Sequence, residues 1–260
     1  MSGQVRTEQN GAVGWIIFDH PERRNAISSD MWRAIPAAVD ALQHDPAVRV
    51  IIMRGAGDVA FVSGADISEF ETSRSGSGAE EYDAANTRAI GALALCAKPI
   101  IALIHGFCVG GGCAIALAAD LRYAADDAVF AIPAARLGLG YGAGGLEMLV
   151  NAVGVAAAKE IFFTARRFSA ADALRIGLVN RVIPKAELDA YVETTAREIA
   201  CNAPLTIRSA KLVLREVTQN TGPRDHAAIA RSIRDCYASA DYAEGVRAFI
   251  EKRRPEFKGR

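Results

Sequence analysis

Apolar and polar positions along this chain follow two different periods. VGWIIFD (13–19) and VRVIIMRG (48–55) are nearly continuous Val/Ile-rich runs, the signature of strands buried on both faces. KPIIALIHG (98–106) is a third such run, and DLRYAA (120–125) and AVFAIP (128–133) are shorter ones. Between the first two, SSDMWRAIPAAVDALQHD (28–45) sets apolar side chains at helical spacing behind a Ser/Asp start signal. Pro36 inside that pattern predicts a kink or a late start. Strands alternating with helices predict βαβ units and a mainly parallel sheet, an α/β fold.

From residue 185 onward the period is helical throughout. AELDAYVETTAREIAC, APLTIRSAKLVLREVTQ, RDHAAIARSIRDCYAS and DYAEGVRAFIEKR each carry an amphipathic stripe. The pattern divides the chain into a 1–184 core and a 185–260 helical region whose stripes predict contacts between copies. ETSRSGSGAEEYD (71–83) is Ser/Gly-rich and charged, and predicts a mobile loop.

Composition narrows the picture only in places. The 260 residues are enough for a sizeable core, and 51% hydrophobic with 23% charged residues is ordinary globular usage. Lys+Arg and Asp+Glu balance at 30 each, which argues against nucleic acid or an anionic membrane as the main partner. The polar MSGQVRTEQNG start predicts no signal peptide, and no run of about 20 apolar residues predicts a membrane span. A cytoplasmic protein is the expectation. Cys96, Cys108, Cys113, Cys201 and Cys236 match no zinc or CxxC spacing, so reduced, mostly buried thiols and no metal are expected.

Candidate chemistry starts at GGGCAIALAAD (110–120), where three glycines follow a strand and open a helix. The N–H groups of a first helical turn lack partners and suit an anion, although close strand–helix packing also requires glycine. The spacing is neither a dinucleotide fingerprint nor a phosphate-binding GK[ST] loop. FVSGADISEF (61–70) is a second strand–Gly turn–helix start. Two N–H groups from different turns, aimed at one point beyond the carboxyl ends of strands, make an oxyanion hole.

FVSGADISEF, KPIIALIHGFCVGGGCAIALAADLRYAADDAVFAIPAARLGLGYGAGG and FFTARRFSAADALRIGLVNRVIP together resemble the crotonase (enoyl-CoA hydratase/isomerase) superfamily over nearly the whole chain. The resemblance implies a spiral of ββα units, two roughly perpendicular sheets flanked by helices, and C-terminal helices that build trimers or dimers of trimers. It implies an acyl-CoA substrate, with coenzyme A entering as part of the thioester and no separate cofactor. The thioester enolate would be held by the N–H groups of Ala65 and Gly111. The family's adenine contacts fall on Asn25-Ala26-Ile27 and Ala65-Asp66-Ile67. Arg23 and Arg24 adjoin the first of these as phosphate candidates, and Lys258 in PEFKG matches a residue that reaches a neighbour's CoA.

Two expected side chains are missing. Family hydratases carry a Glu directly after GGGC and another after the Pro of a G-Q-P-E stretch; Ala114 and Ala134 stand there. Each general acid or base is worth roughly 10²–10⁴-fold, so two-carboxylate hydration is poorly supported. Tyr141 falls in the loop that, by the resemblance, would line the acyl pocket, and is a candidate to orient a carboxylate or donate a proton. Glu147, expected in the first turn of the next helix, is a dipole-complementing residue or a substitute base. Asp66 is expected to cap the helix after it, and His105 to be a core histidine.

A malonyl-type thioester needs no base, because loss of CO₂ itself creates the enolate. LGLGY, KEIFFTA and DYAEGVRAFIEKR also resemble methylmalonyl-CoA decarboxylase-type members. Decarboxylation is therefore the favoured reading. A hydratase or isomerase using another base and a non-catalytic acyl-CoA binder are the alternatives. RNA binding, which some relatives show through a Lys-rich first helix, is disfavoured by one Arg and no Lys in residues 28–45.

Overall fold

In the computed structural model, which describes residues 3–66, 77–218, 222 and 224–260, the apolar runs become strands of two sheets. The larger has the order β1 (Gln4–Asn10), β2 (Val13–Asp19), β3 (Val50–Gly55), β5 (Ile100–Ile104), β7 (Leu121–Ala125) and β10 (Arg181–Ile183). The smaller has the order β4 (Ala60–Val62), β6 (Phe107–Val109), β8 (Val129–Ala131) and β9 (Phe168–Ser169). Pairing is parallel except at β1–β2 and β8–β9. The architecture is mixed α/β, two sheets flanked by helices, with successive strands from β3 to β8 alternating between them.

The continuous apolar runs arise because both faces of the larger sheet are covered. Ile51 and Met53 of β3, with Ile100, Ala102 and Ile104 of β5, enter a cluster with α1 (Ser29–His44). Val50, Ile52, Ile101 and Leu103 enter a second cluster with Leu188, Val192 and Ala196 of α7 (Leu188–Cys201). Helix α1 is capped by the Ser28 side chain, which accepts from the Met31 N–H at 3.2 Å. It starts at Ser29 and runs through Pro36 to His44, so no late start occurs. The buried stripe Met31, Trp32, Ile35, Ala38, Val39 and Leu42 outweighs the roughly 3 kcal/mol that an internal proline costs.

Two local expectations are corrected. The polar N-terminus holds β1, an edge strand with no apolar alternation, which pairs along its whole length with β2. Residues 77–83, expected to be loop, open α2 (Ser77–Leu95); their Ala79-Glu80-Glu81 stretch favours helix, and Tyr82 is buried. Residues 71–76 of that expected loop lie outside the described residues. Cys96, Cys108 and Cys113 are buried as expected, but Cys201 is exposed at the end of α7. Burial pushes the Cys108 thiol well up, so it stays protonated.

Beyond α7 come α8 (Pro204–Thr218), α9 (His226–Ala238) and α10 (Ala240–Glu251). The C-terminal tail folds back on α10. Buried Asp241 accepts from the N–H groups of Lys258 at 2.6 Å and Gly259 at 2.7 Å. Arg253 donates to both Glu244 oxygens, at 2.6 and 3.0 Å, and holds that carboxyl at about 2, below its ordinary 4.5. The folded chain favours the charged form, so this contribution is full above the ordinary carboxylate range and disappears as pH falls from 4.5 toward 2. Urea midpoints of the wild type and Glu244→Gln should therefore differ more at pH 7 than at pH 3. Equal gaps at the two pH values would contradict this assignment.

Candidate active site

The parallel strands β4 and β6 end side by side, and each runs into a glycine turn. The pairing Ala60↔Phe107 and Val62↔Cys108 gives way to Gly64 at φ +118° and Gly110 at φ +53°. L-residues rarely adopt either conformation. The two turns are in contact: a Cβ built on Gly110 would lie 4.0 Å from Gly64 Cα. One built on Gly112 would run into the Val62 carbonyl, which is why that position has no side chain.

The donors follow from the hydrogen bonds. The Ile27 N–H bonds Gly64 O at 2.8 Å and the Asp66 N–H bonds Ile27 O at 2.9 Å, a parallel bridge between Ile27 and Ala65. Both bonds belong to the neighbours of Ala65. Its own N–H is left on the opposite edge, the one lined by β6 and its turn. On that turn the Gly110 N–H is taken by Ala131 O at 2.8 Å, and the Ala114 N–H by Gly110 O at 3.2 Å. The Gly111 N–H opens α3 (Gly111–Leu117) and has no backbone partner among the described residues. The Trp32 ring supports this turn from below, with Cζ2 3.1 Å from a Cβ built on Gly111; its Nε1 donates to Tyr82 Oη at 2.8 Å.

The segment 20–27 fixes the Ala65 turn. The Ser63 N–H bonds Arg24 O at 3.2 Å, and Ser63 Oγ donates to Arg23 O at 3.1 Å. Arg23 Nη1 donates to both oxygens of Asp66, at 2.6 and 2.9 Å. Arg23 is thus ion-paired beside the site, while the Arg24 guanidinium lies 4.8 Å above the Phe107 ring centroid. Ala26 is buried in the same segment. Ile67, and the helix that Asp66 was expected to cap, lie outside the described residues.

Among the described residues, the reactive side chains around this pair of turns are few. Ala114 sits in α3, one turn beyond Gly111, and buried Ala134 opens α4 (Ala134–Leu137), just past the end of β8. Neither can transfer a proton. Tyr141 is 37% exposed, and its ring meets Phe162 edge-on at 4.8 Å. Glu147 is half-buried, but α5 (Ala143–Thr164) begins four residues earlier, so it lies beyond the first turn and does not complement the dipole there as expected. His105 is buried as a core residue, with Nε2 2.6 Å from Asp189 Oδ2 and, among the described residues, no partner for Nδ1. His105, with Arg54 beside it, holds the Asp189 carboxyl below the ordinary range. Lys258 is exposed on the tail.

Asn25 is named by the sequence reading only for adenine contact, and the role of its side chain was not foreseen. Its Oδ1 accepts the His20 N–H at 3.0 Å, and its Nδ2 donates to Ala56 O at 3.0 Å and Ala60 O at 2.8 Å. It is buried at φ +56° and joins the end of β2 to the start of β4, one sheet to the other. Only its position between Arg24 and Ala26, in a turn already under suspicion, pointed to it.

The chain matches the enoyl-CoA hydratase/isomerase family over residues 8–260. It is 35% identical to the short-chain-enoyl-CoA hydratase of Clostridium acetobutylicum, covering 98% of each chain. It is 36% identical to the crotonyl-CoA hydratase of Syntrophomonas wolfei, covering 96% of each. Its structure superposes on an enoyl-CoA hydratase/carnithine racemase from Magnetospirillum magneticum with a TM-score of 0.94, at 34% identity, covering 98% of this chain and 96% of that one.

Proposed function

The chain belongs to the enoyl-CoA hydratase/isomerase family, and from that premise we propose that it acts on an acyl-CoA thioester through an enolate held between Ala65 and Gly111. The observation that carries this reading is the pair of facing turns whose Ala65 and Gly111 N–H groups have no backbone partner among the described residues. An enolate oxygen within roughly 2.7–3.1 Å of both would receive two hydrogen bonds, and one such donor is worth roughly 3–4 kcal/mol.

The reaction favoured by the side chains is decarboxylation of a malonyl-type thioester. The bond between Cα and the carboxylate carbon breaks, CO₂ leaves, and the electron pair passes through Cα to the thioester oxygen. A proton from water or Tyr141 then completes Cα. No step requires a carboxylate at Ala114 or Ala134. Tyr141 would steer the departing carboxylate out of the thioester plane. Hydration or isomerisation is the second reading, favoured by the names of the similar proteins; Glu147 would then be the acid or base.

One preparation assayed for CO₂ release from methylmalonyl-CoA and for hydration of crotonyl-CoA separates the two. Decarboxylation with hydration orders of magnitude slower is the expected result. Tyr141→Phe should then lower turnover more than CoA affinity, as for a contact stronger in the transition state. Fast hydration without CO₂ release would overturn the first reading in favour of the second. CoA binding without turnover of any thioester would leave a binder.

The proposal extends to assembly in the cytoplasm as a trimer or dimer of trimers, through region 185–260. No helix among the described residues is long and apolar enough to cross a membrane. Phe249 is 86% exposed and Ile250 73%, an apolar load that a second copy would cover. Light scattering at micromolar concentration should give three or six chains; a monomer would refute this.

A further inference from the structure

One short segment touches both turns that carry the proposed enolate donors. Ile27 holds the Ala65 turn by its backbone. Its N–H bonds Gly64 O at 2.8 Å, and its carbonyl accepts the Asp66 N–H at 2.9 Å. The Ile27 side chain reaches the other turn, with Cγ2 3.5 Å from a Cβ built on Gly111. Trp32 reaches the same place, with Cζ2 3.1 Å and Cη2 3.7 Å from that Cβ. The next residue, Gly112, lies against the Val62 carbonyl of β4. The Gly111 turn is thus in contact with β4 and with the segment 27–32.

That segment has little freedom. Ile27 and Trp32 are fully buried. Between them Ser28 caps α1: its carbonyl accepts the Trp32 N–H at 3.0 Å and its hydroxyl the Met31 N–H at 3.2 Å. The cap fixes where the indole leaves the helix relative to Ile27. The indole is held by its own N–H as well, because Nε1 donates to Oη of Tyr82, buried on α2, at 2.8 Å. Any large apolar side chain could fill the volume under Gly111. An indole whose N–H must find an acceptor in a buried site fills it in one orientation only.

We propose that Ile27 and Trp32 form a strut that sets the spacing of the Ala65 and Gly111 N–H groups, with Tyr82 as the acceptor that orients the indole. All three are positioning residues, acting through the two turns and not on the reacting atoms. This rests on the enolate reading above and goes beyond it by naming what holds the two donors to one point. A donor that bonds the oxygen most strongly in the transition state makes its supports visible in kcat and not in KM.

The test uses the full chain as wild type, Ile27→Ala, Ile27→Val, Trp32→Phe, Tyr82→Phe and the Trp32→Phe/Tyr82→Phe pair. Each is assayed, well below its melting temperature, for kcat and KM on whichever of methylmalonyl-CoA and crotonyl-CoA the wild type turns over. Each is also titrated with hexa-2,4-dienoyl-CoA, a conjugated thioester whose absorbance moves to longer wavelength as its carbonyl oxygen accepts hydrogen bonds; this red shift alone decides if neither substrate is turned over. A misplacement near 1 Å costs about 10²-fold, so Trp32→Phe and Ile27→Ala are expected to lower kcat at least about tenfold with KM within about twofold. Both should bind the probe with a smaller red shift. Ile27→Val keeps a methyl at the Cγ2 position and should keep the kcat and the red shift of the wild type. Tyr82→Phe should fall between, and the pair should be no slower than Trp32→Phe alone, since both changes act on one ring. Wild-type kcat and red shift in Trp32→Phe and Ile27→Ala overturn the strut alone, as does an equal loss in Ile27→Val and Ile27→Ala. If Trp32→Phe does not fold, the two Ile27 variants and Tyr82→Phe decide by the same criteria. A wild type that does not bind the probe, or binds it without a red shift, overturns the enolate reading and the strut with it.

Discussion

Gly112→Ala should lower kcat by at least about 10²-fold. The added methyl would run into the Val62 carbonyl, a backbone atom with no rotamer through which to withdraw. Relief requires α3 to move off β4, and that movement separates the Gly111 turn from the Ala65 turn. A displacement near 1 Å in a catalytic constellation costs about 10²-fold. The measurement is kcat on whichever thioester the wild type turns over, with the melting temperature recorded alongside. Gly91→Ala is the control, since nothing lies within 4 Å of the new methyl inside α2. It should keep full activity and gain roughly 0.5–1 kcal/mol of stability. Activity of Gly112→Ala within fivefold of wild type would show that the closeness of the two turns does not matter.

Asn25→Ala should destabilise the chain by about 4 kcal/mol or more. Its side chain satisfies a buried N–H and two carbonyls, and each orphaned group costs roughly 1–3 kcal/mol. Alanine at φ +56° adds about 1–2 kcal/mol of strain that asparagine tolerates better. Asn25→Gly relieves the strain but restores no hydrogen bond, so it should recover only that part. Urea midpoints at unchanged slope measure both variants. A loss below about 1 kcal/mol for Asn25→Ala would show that water replaces the amide and that the two sheets are held elsewhere.

The legible parts of the fold were those with one dominant period. β3 and β5 were readable because both faces are buried, so the apolar run has no gaps. Helix α1 was readable from its stripe, and Pro36 misled only because its local cost is visible in sequence while the burial that outweighs it is not. β1 was unreadable: an edge strand with exposed side chains is held by backbone bonds to β2, which leave no side-chain pattern. The start of α2 was hidden by Ser and Gly, which resemble a loop until Tyr82 finds its place beside Trp32.

For the site, the sequence by itself determined the turns and the chemistry they lack. Glycines at 64 and 110 take positive φ that L-residues rarely adopt, and alanines at 114 and 134 have no titratable group in any fold. Which donor faces the site, and which arginine is ion-paired beside it, only the tertiary structure decided. The Ile27 bridge turns the Ala65 N–H toward β6, and Asp66 pairs with Arg23. The reason is physical. A residue's conformational range is a local property of its own covalent structure, whereas a hydrogen bond or ion pair depends on a partner that chain folding brings from 38 or 43 residues away.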